Sequence, residues 1–335
     1  VVKWSLFALK WFDHFISRQD HLSGEKVVSA SSLQSLSRRV VGNNVWLGHT
    51  ALKEPGLVLQ KLRYEVLETE EAVGRAMLEE IEEAARQKHG DLVIILLGGR
   101  GAQALHRLLG DMARTSEGDH LLNRLHVFTQ DGLAPMSMNN GFSFVRDFER
   151  LLGQSFFEKV KSFTPMRTDA ADAEGEMMRY VEKMQSMGGV DIFFLGLGPE
   201  PRAASHLAYI KPGSGATASD VAGVIPISSS ILEHHISKFK AGGSAADADE
   251  EAECRRATHI LTLGPAAILG ARRIVQSIVD ARTAPGKRAS FRRVLETEIS
   301  DNPAERAAQL DENPGLWVRL HPNVRSLVLP DVLEA

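Results

Sequence analysis

Cysteine is almost absent from this 335-residue chain: Cys254 is the only one. That excludes a disulfide framework and a cysteine-rich zinc site within the chain, and it fits a reducing, cytoplasmic setting without excluding an organelle. No apolar run reaches the length that a membrane-spanning helix needs. A surplus of one charge is lacking too. Thirty-nine basic residues against 43 acidic ones give a formal net charge of −4, so there is no electrostatic footprint for nucleic acid. Cys254 stands in the charged segment Glu251 to Arg256, where we expect a surface thiol.

What the chain does have is a 43% share of hydrophobic residues, enough to bury the core of one large α/β domain or two modest ones. Trp4, Phe7, Ala8, Trp11, Phe12 and Phe15 recur at helical spacing. They predict an amphipathic helix that packs on its own domain, on a second copy of the chain or on a partner subunit, or that lies on a membrane surface. The chain opens on Val1 rather than Met, as a processed or partial product would. Residues 17–57 are polar and serine-rich and read as an irregular arm. With the helix they make an N-terminal extension, 1–57, ahead of an α/β domain over 58–335.

Within that domain, Leu62–Leu67, Asp91–Leu97, Leu125–Phe128, Asp191–Leu195, Thr258–Leu263, Ile274–Asp280 and Val324–Leu329 predict strands, and 224–228 a further short one. Glu70–Lys88, Ala102–Met112, Phe142–Leu152, Ala173–Ser186, Gly264–Ala271 and Lys287–Leu295 predict helices. Thr129–Asn140 reads as a loop. Residues 240–253, low in complexity and acidic, read as a mobile loop inside a lid-like insertion at about 228–256. Strands alternating with helices predict a mainly parallel sheet covered on both faces, with no internal repeat.

Polar chemistry gathers behind the apolar strands. Gly98-Gly99-Arg100-Gly101 lies between a strand and a helix, which turns backbone N–H groups toward an anion. Gly196-Leu197-Gly198 opens onto Glu200, His206, Lys211 and Ser214. Asp131 follows a core strand, where a carboxylate can serve as a base for a carbon-bound proton. Lys287 stands just ahead of a helix, where the macrodipole disfavours its charge unless an anion is near. Plainer readings stand beside these: Asp131 as a turn cap, His206 bonded to backbone, Lys211 solvated. His321 reads as structural, tying the last strand to the domain.

In order and spacing, Gly98-Gly99, Phe128-Thr129-Gln130-Asp131, Gly188-Gly189-Val190-Asp191 with Gly196-Leu197-Gly198 and His206, and Pro285-Gly286-Lys287-Arg288-Ala289 resemble the glucosamine-6-phosphate deaminase and 6-phosphogluconolactonase superfamily over residues 60–335. Met187 to Asp191 and Leu320-His321-Pro322-Asn323-Val324 lean toward the deaminase (isomerase) branch. The resemblance implies a modified Rossmann-like domain that binds a phosphorylated sugar at the carboxyl edge of its sheet, with no metal and no organic cofactor. It casts Asp131 as the proton carrier between C1 and C2 and His206, supported by Glu200, as the ring-opening group. Gly98, Gly99, Arg100, Gly101, Ser214 and Lys287 become phosphate contacts, with Lys211 a further candidate.

The chain departs from that pattern. Arg100 and Gly101 replace small hydroxyl residues in the glycine turn, where Arg100 either contacts phosphate or pairs with Glu200 or Asp131. Gly132 stands where relatives carry a glutamate. Arg202 to Ser205 separate Glu200 from His206, and Lys211 reverses the charge of a relay glutamate. The family's lid arginine has no counterpart near Ser228 to Ile231. We therefore expect one of three things: a diverged phosphosugar isomerase or deaminase, a phosphosugar lactonase, or a catalytically silent homologue that binds a sugar phosphate or joins an assembly.

Overall fold

The structure, a computed structural model, describes residues 36–42, 44–49 and 61–334. Its strands are β1 (Leu36–Val41), β2 (Asn44–His49), β3 (Tyr64–Val66), β4 (Leu92–Leu96), β5 (Leu125–Thr129), β6 (Asp131–Ala134), β7 (Ser162–Thr164), β8 (Ile192–Leu195), β9 (Gly198–Pro199), β10 (Ser205–His206), β11 (Asp220–Pro226), β12 (His259–Leu263), β13 (Arg273–Ile278) and β14 (Val324–Val328). The helices that matter below are α1 (Glu70–Gln87), α2 (Gln103–Ala113), α3 (Phe144–Leu152), α4 (Ala173–Ser186), α5 (Ser229–Ala241), α6 (Ala248–Arg255) and α7 (Gly286–Glu296).

Seven strands form one sheet in the order β3-β14-β13-β8-β4-β5-β7, and every pairing in it is parallel. β4 and β8 are buried at every position, so they read as unbroken apolar runs, as strands covered on both faces do. Asp191, just before β8, pairs with Lys88 at 2.7 Å and accepts from the Val93 amide at 2.8 Å. It fastens β8 to β4. From β4 the chain moves outward through β5 to β7, while β8, β13 and β14 build the other side. The direction therefore switches between β4 and β8, and a crevice opens at their carboxyl ends.

A second sheet, β1-β2-β11-β12-β6, was not anticipated. Its β11 runs antiparallel to β2 and β12, and β12 antiparallel to β6. The expected loop Thr129–Asn140 thus contains a strand, with Asp131 paired to Thr262. The expected irregular arm contributes β1 and β2. Trp46 is fully buried and its indole N–H donates to the Ser214 carbonyl at 3.0 Å, which anchors that pair. The expected aromatic helix before residue 17 lies outside the described residues.

Two further expectations are corrected. The segment read as a mobile loop, 240–253, begins in the last residues of α5 and ends in α6, which is opened by a capping box in which Asp247 and Glu250 satisfy each other's backbone amides. Glu253 ties α6 to the body by accepting from the Ser137 amide at 2.9 Å and from the Asn140 side chain at 2.7 Å. Cys254 is buried on the inner face of that helix, and burial pushes its thiol up to about 12. His321 is structural as read. Its Nε2 donates to the Ala271 carbonyl at 2.8 Å and its Nδ1 accepts from the Asn323 amide at 3.1 Å. Among the described residues no helix is long and apolar enough to cross a membrane.

Candidate active site

The crevice at the switch between β4 and β8 is a cleft of about 460 Å³, its open mouth included. One wall belongs to the parallel sheet. After β4, Gly98 admits no side chain: a Cβ there would meet the Phe144 ring at 2.1 Å. Gly99 has φ +72°, the left-handed region that favours glycine. The turn carries the chain into a short 3-10 stretch, Arg100–Ala102, and then α2. Arg100 lines the cleft, yet its guanidinium is engaged by Glu70 and by the Ala241 carbonyl at 3.2 Å. It pairs with neither Glu200 nor Asp131.

After β8 the chain makes a small hairpin. β9 and β10 are antiparallel, with Gly198 opposite His206 and Pro199 opposite Ser205. The inserted residues loop out between the arms, Arg202 at φ 61° and Ala203 at φ 56°. This register returns the chain so that Glu200 Oε1 lies 3.1 Å from His206 Nδ1. The separation in sequence is closed in space. The imidazole fills the place of a side chain on Gly198, where a Cβ would lie 1.8 Å from Nε2. Ser230 of α5 donates to the other Glu200 oxygen. Burial works to raise the Glu200 carboxyl, but the hydrogen bonds from His206 and Ser230 and the charge of Lys211 outweigh it and hold it below its usual value. Burial also lowers His206, opposed by Glu200, so the ring is neutral at neutral pH.

After β13, Asp280 is buried at φ 75°, a conformation uncommon for a residue with a side chain. It accepts from Thr283 and faces Lys287 Nζ at 3.7 Å. Lys287 is 6% exposed and also donates to the Val279 carbonyl at 2.9 Å. Burial lowers its pKa, against the pull of Asp280.

The opposite wall comes from the antiparallel sheet and α5. Asp131 opens β6, buried, and its Oδ1 has no hydrogen-bond partner. Gly132 is required beside it, since a Cβ would meet the Thr168 methyl at 2.6 Å. Burial pushes Asp131 up to about 7, against the attraction of Lys238. Lys238, on α5, lays its stem on Gly99 and places Nζ 3.0 Å from the Tyr209 hydroxyl. The ammonium stands 4.7 Å from the Phe144 ring centre and 5.0 Å from that of Tyr209. Desolvation lowers it to about 8, and Asp131 is the foremost charge opposing that shift. His234, one helical turn before Lys238, also lines the cleft, its ring 5.7 Å from that of His206.

Of the residues singled out in the sequence, Gly98, Arg100, Gly101, Asp131, His206 and Lys287 line this one cleft, and Glu200 supports it from behind. Ser214 does not line it. Its carbonyl accepts from Asn44 and Trp46 of β2, which hold that stretch against the second sheet. Lys211 is half-buried and acts on the cleft through its charge on Glu200. Sequence reasoning missed Tyr209, His234, Lys238 and Asp280. Lys238 brings a cation of α5, within the segment read as a lid, to the cleft. The available signal was the i, i+4 spacing of His234 and Lys238, which puts both on one helix face. Among the described residues, no group of three or more His, Cys, Asp or Glu is arranged to hold a metal ion.

The parallel sheet, with a switch-point cleft and a buried histidine–carboxylate pair at its strand ends, defines an α/β protein of the Rossmann-like class. The family model described as glucosamine-6-phosphate isomerases/6-phosphogluconolactonase matches residues 67–237, and the chain belongs to that family. A glucosamine-6-phosphate deaminase of Bacteroides fragilis is 42% identical over 56 residues, 17% of this chain and 19% of the relative. One of Dictyostelium discoideum is 27% identical over 135 residues, 38% of this chain and 47% of the relative. The matched stretches thus span from about a fifth to about a half of these relatives' length.

Solved structures extend the likeness along the chain. A monomeric glucosamine-6-phosphate deaminase aligns with a TM-score of 0.61 at 19% identity, over 81% of this chain and 98% of that one. The 6-phosphogluconolactonase of Trypanosoma cruzi aligns with a TM-score of 0.57 at 15% identity, over 82% and 97%. At these identities the likeness is one of fold.

Proposed function

We propose that the chain is a phosphosugar isomerase or deaminase that moves a proton between C1 and C2 of an open-chain hexose phosphate or amino-sugar phosphate. The observation that carries this reading is that one cleft is lined by both Asp131 and the Glu200-supported His206. His206, neutral and oriented through Nδ1, presents Nε2 to exchange the proton that opens the sugar ring. Asp131 takes the proton from C2 as the electron pair forms C1=C2 and the C1=O pair moves onto O1. It returns the proton to C1, O1 takes a proton and the C2 substituent gives one up. With an amino group at C2, water hydrolyses the resulting imine to a ketone and releases ammonia. A base whose pKa lies near neutrality suits both halves of the transfer. The amides of the Gly98–Gly101 turn and Lys287 hold the phosphate.

Lactone hydrolysis is favoured by a separate observation. Lys211, not a second carboxylate, follows His206, so the imidazole has Glu200 as its sole acidic hydrogen-bond partner among the described residues. In that reaction His206 activates water on a phosphosugar lactone. The deciding experiment incubates the purified chain with glucosamine 6-phosphate, glucose 6-phosphate and 6-phosphogluconolactone in parallel. Ketose phosphate, with ammonia from the amino sugar, supports the first reading, and lactone consumption above the spontaneous rate the second. Binding without turnover of any of them assigns a silent phosphosugar-binding role and removes both.

A further inference from the structure

Lys238 is held by a chain of hydrogen bonds whose directions the chemistry fixes. His235 Nε2 is 2.7 Å from the Phe142 carbonyl, which only accepts, so the ring proton is on Nε2. His235 is buried, and burial together with the charge of Lys238 keeps its pKa well below the usual value, so the ring is neutral and Nδ1 is an acceptor. Nδ1 takes its hydrogen bond from the Tyr209 hydroxyl. The single Tyr209 proton is then committed, and the oxygen must accept from Lys238 Nζ at 3.0 Å. One ammonium N–H is thus anchored. The stem is pinned on Gly99 and the charge rests against Phe144 and Tyr209. Among the described residues no carboxylate lies within ion-pair distance of Lys238, while its counterpart on the same wall of the cleft is Asp131, whose Oδ1 is itself unpartnered.

We propose that Lys238 is the oxyanion-stabilising cation of this site, positioned by Tyr209 and His235, and that its free N–H groups meet the negative oxygen formed when Asp131 removes the C2 proton. This rests on the isomerase reading. The charge balances: the pair from the broken C2–H bond ends as negative charge on O1, beside the ammonium, and Asp131 has just become neutral by taking the proton. A donor fixed in advance is worth about 100- to 1,000-fold in rate for such an oxygen. It is worth little toward a neutral ground state.

The test is binding, so it does not depend on turnover. An aldonohydroxamate phosphate, whose ionised head mimics the enediolate, is compared by calorimetry with a hexitol 6-phosphate, which has the same phosphate and a neutral head. The wild type should prefer the hydroxamate by at least about 30-fold. Lys238→Met should erase that preference while hexitol affinity stays within about threefold, and Lys238→Arg should keep part of it. Tyr209→Phe keeps the ring and removes the anchor, so it should cost about five- to tenfold of the preference and covers the case in which Lys238→Met does not fold. Equal loss of both ligands in Lys238→Met makes the lysine a phosphate contact and overturns the inference alone, as does an unchanged preference in both variants. A wild type that binds neither ligand overturns the isomerase reading and this inference with it.

Discussion

The two walls of the cleft handle charge in opposite ways. On the parallel-sheet wall each ionisable group has its partner already: Glu70 on Arg100, Glu200 on His206, Asp280 on Lys287. On the opposite wall a buried Asp131 and a half-buried Lys238 lie within each other's field without an ion pair, and desolvation pushes the acid up to about 7 and the base down to about 8. A compensated wall is suited to holding a ligand in one place. An uncompensated one is suited to a step in which a proton and a charge change hands, because little separates its protonation states. Under the isomerase reading, the contrast gives phosphate binding and ring opening to one wall and the C1–C2 proton transfer to the other.

The contrast breaks most sharply at Asp131. Asp131→Asn keeps the shape and removes the base, and the isomerase reading expects kcat/KM to fall by at least about 1,000-fold. In the wild type the base must be ionised, so kcat/KM should decline as pH drops through about 7. Stability should move the other way. The folded pKa is raised, so between the usual carboxylate range and about 7 the folded state binds more protons than the unfolded one, and stability falls as pH rises. Asp131→Asn should therefore be more stable than the wild type at about pH 8, by as much as about 4 kcal/mol, with the gap closing near pH 4. Denaturant melts at both pH values check it. A variant that is slow and also less stable at the higher pH would place Asp131 among the structural aspartates.

Glu200→Gln probes the compensated wall with a smaller effect. The amide fills the same space and its oxygen can still accept from Nδ1, but the negative charge that favours the imidazolium is lost, and kcat/KM should fall about 10- to 100-fold. Glu200 opposes the lowering of His206 by burial, so its loss should move the histidine titration to still lower pH, visible in ring proton shifts. An unmoved titration would separate the pair functionally, whatever its 3.1 Å contact.

How much of this was readable in the sequence follows from where each signal is local. Six of the seven parallel strands were, led by the apolar runs Leu92–Leu96 and Ile192–Leu195 that are buried throughout, whereas the three-residue edge strand Ser162–Thr164 was too short to leave a pattern. Asp131, His206 and Lys287 were, because each follows such a strand or opens the helix after it. The second sheet was not, although Val40-Val41-Gly42-Asn43-Asn44-Val45 carries a hairpin signal, because polar serine-rich flanks diluted it. Glu200 and His206 looked estranged by the insertion, since chain distance says nothing of the β9–β10 register that reunites them. Cys254 looked exposed because its neighbours are charged, but in a helix those neighbours point away from the face that it occupies. Lys238 was invisible for a related reason: an ordinary surface-helix pattern conceals which face closes over a cleft.

The finest test lies at Lys287. If the parallel-sheet wall binds phosphate, Asp280 competes with the ligand for the same ammonium. Asp280→Asn should then tighten binding of hexitol 6-phosphate by about three- to tenfold, as one negative charge leaves a buried site. Asparagine is the suitable probe, because it tolerates the φ of 75° and can still accept from Thr283. The gain has a pH limit. Asp280 opposes the lowering of Lys287 by burial, so without it the ammonium loses its proton at a lower pH, and the advantage should shrink as pH rises. Lys287→Met should weaken the same ligand about 10- to 100-fold, fixing the sign of the comparison. Weaker binding in Asp280→Asn would mean that the carboxylate holds Lys287 in place rather than contending for it. The compensation on that wall would then be a scaffold for the ligand, and the difference between the walls would lie in rigidity instead of charge.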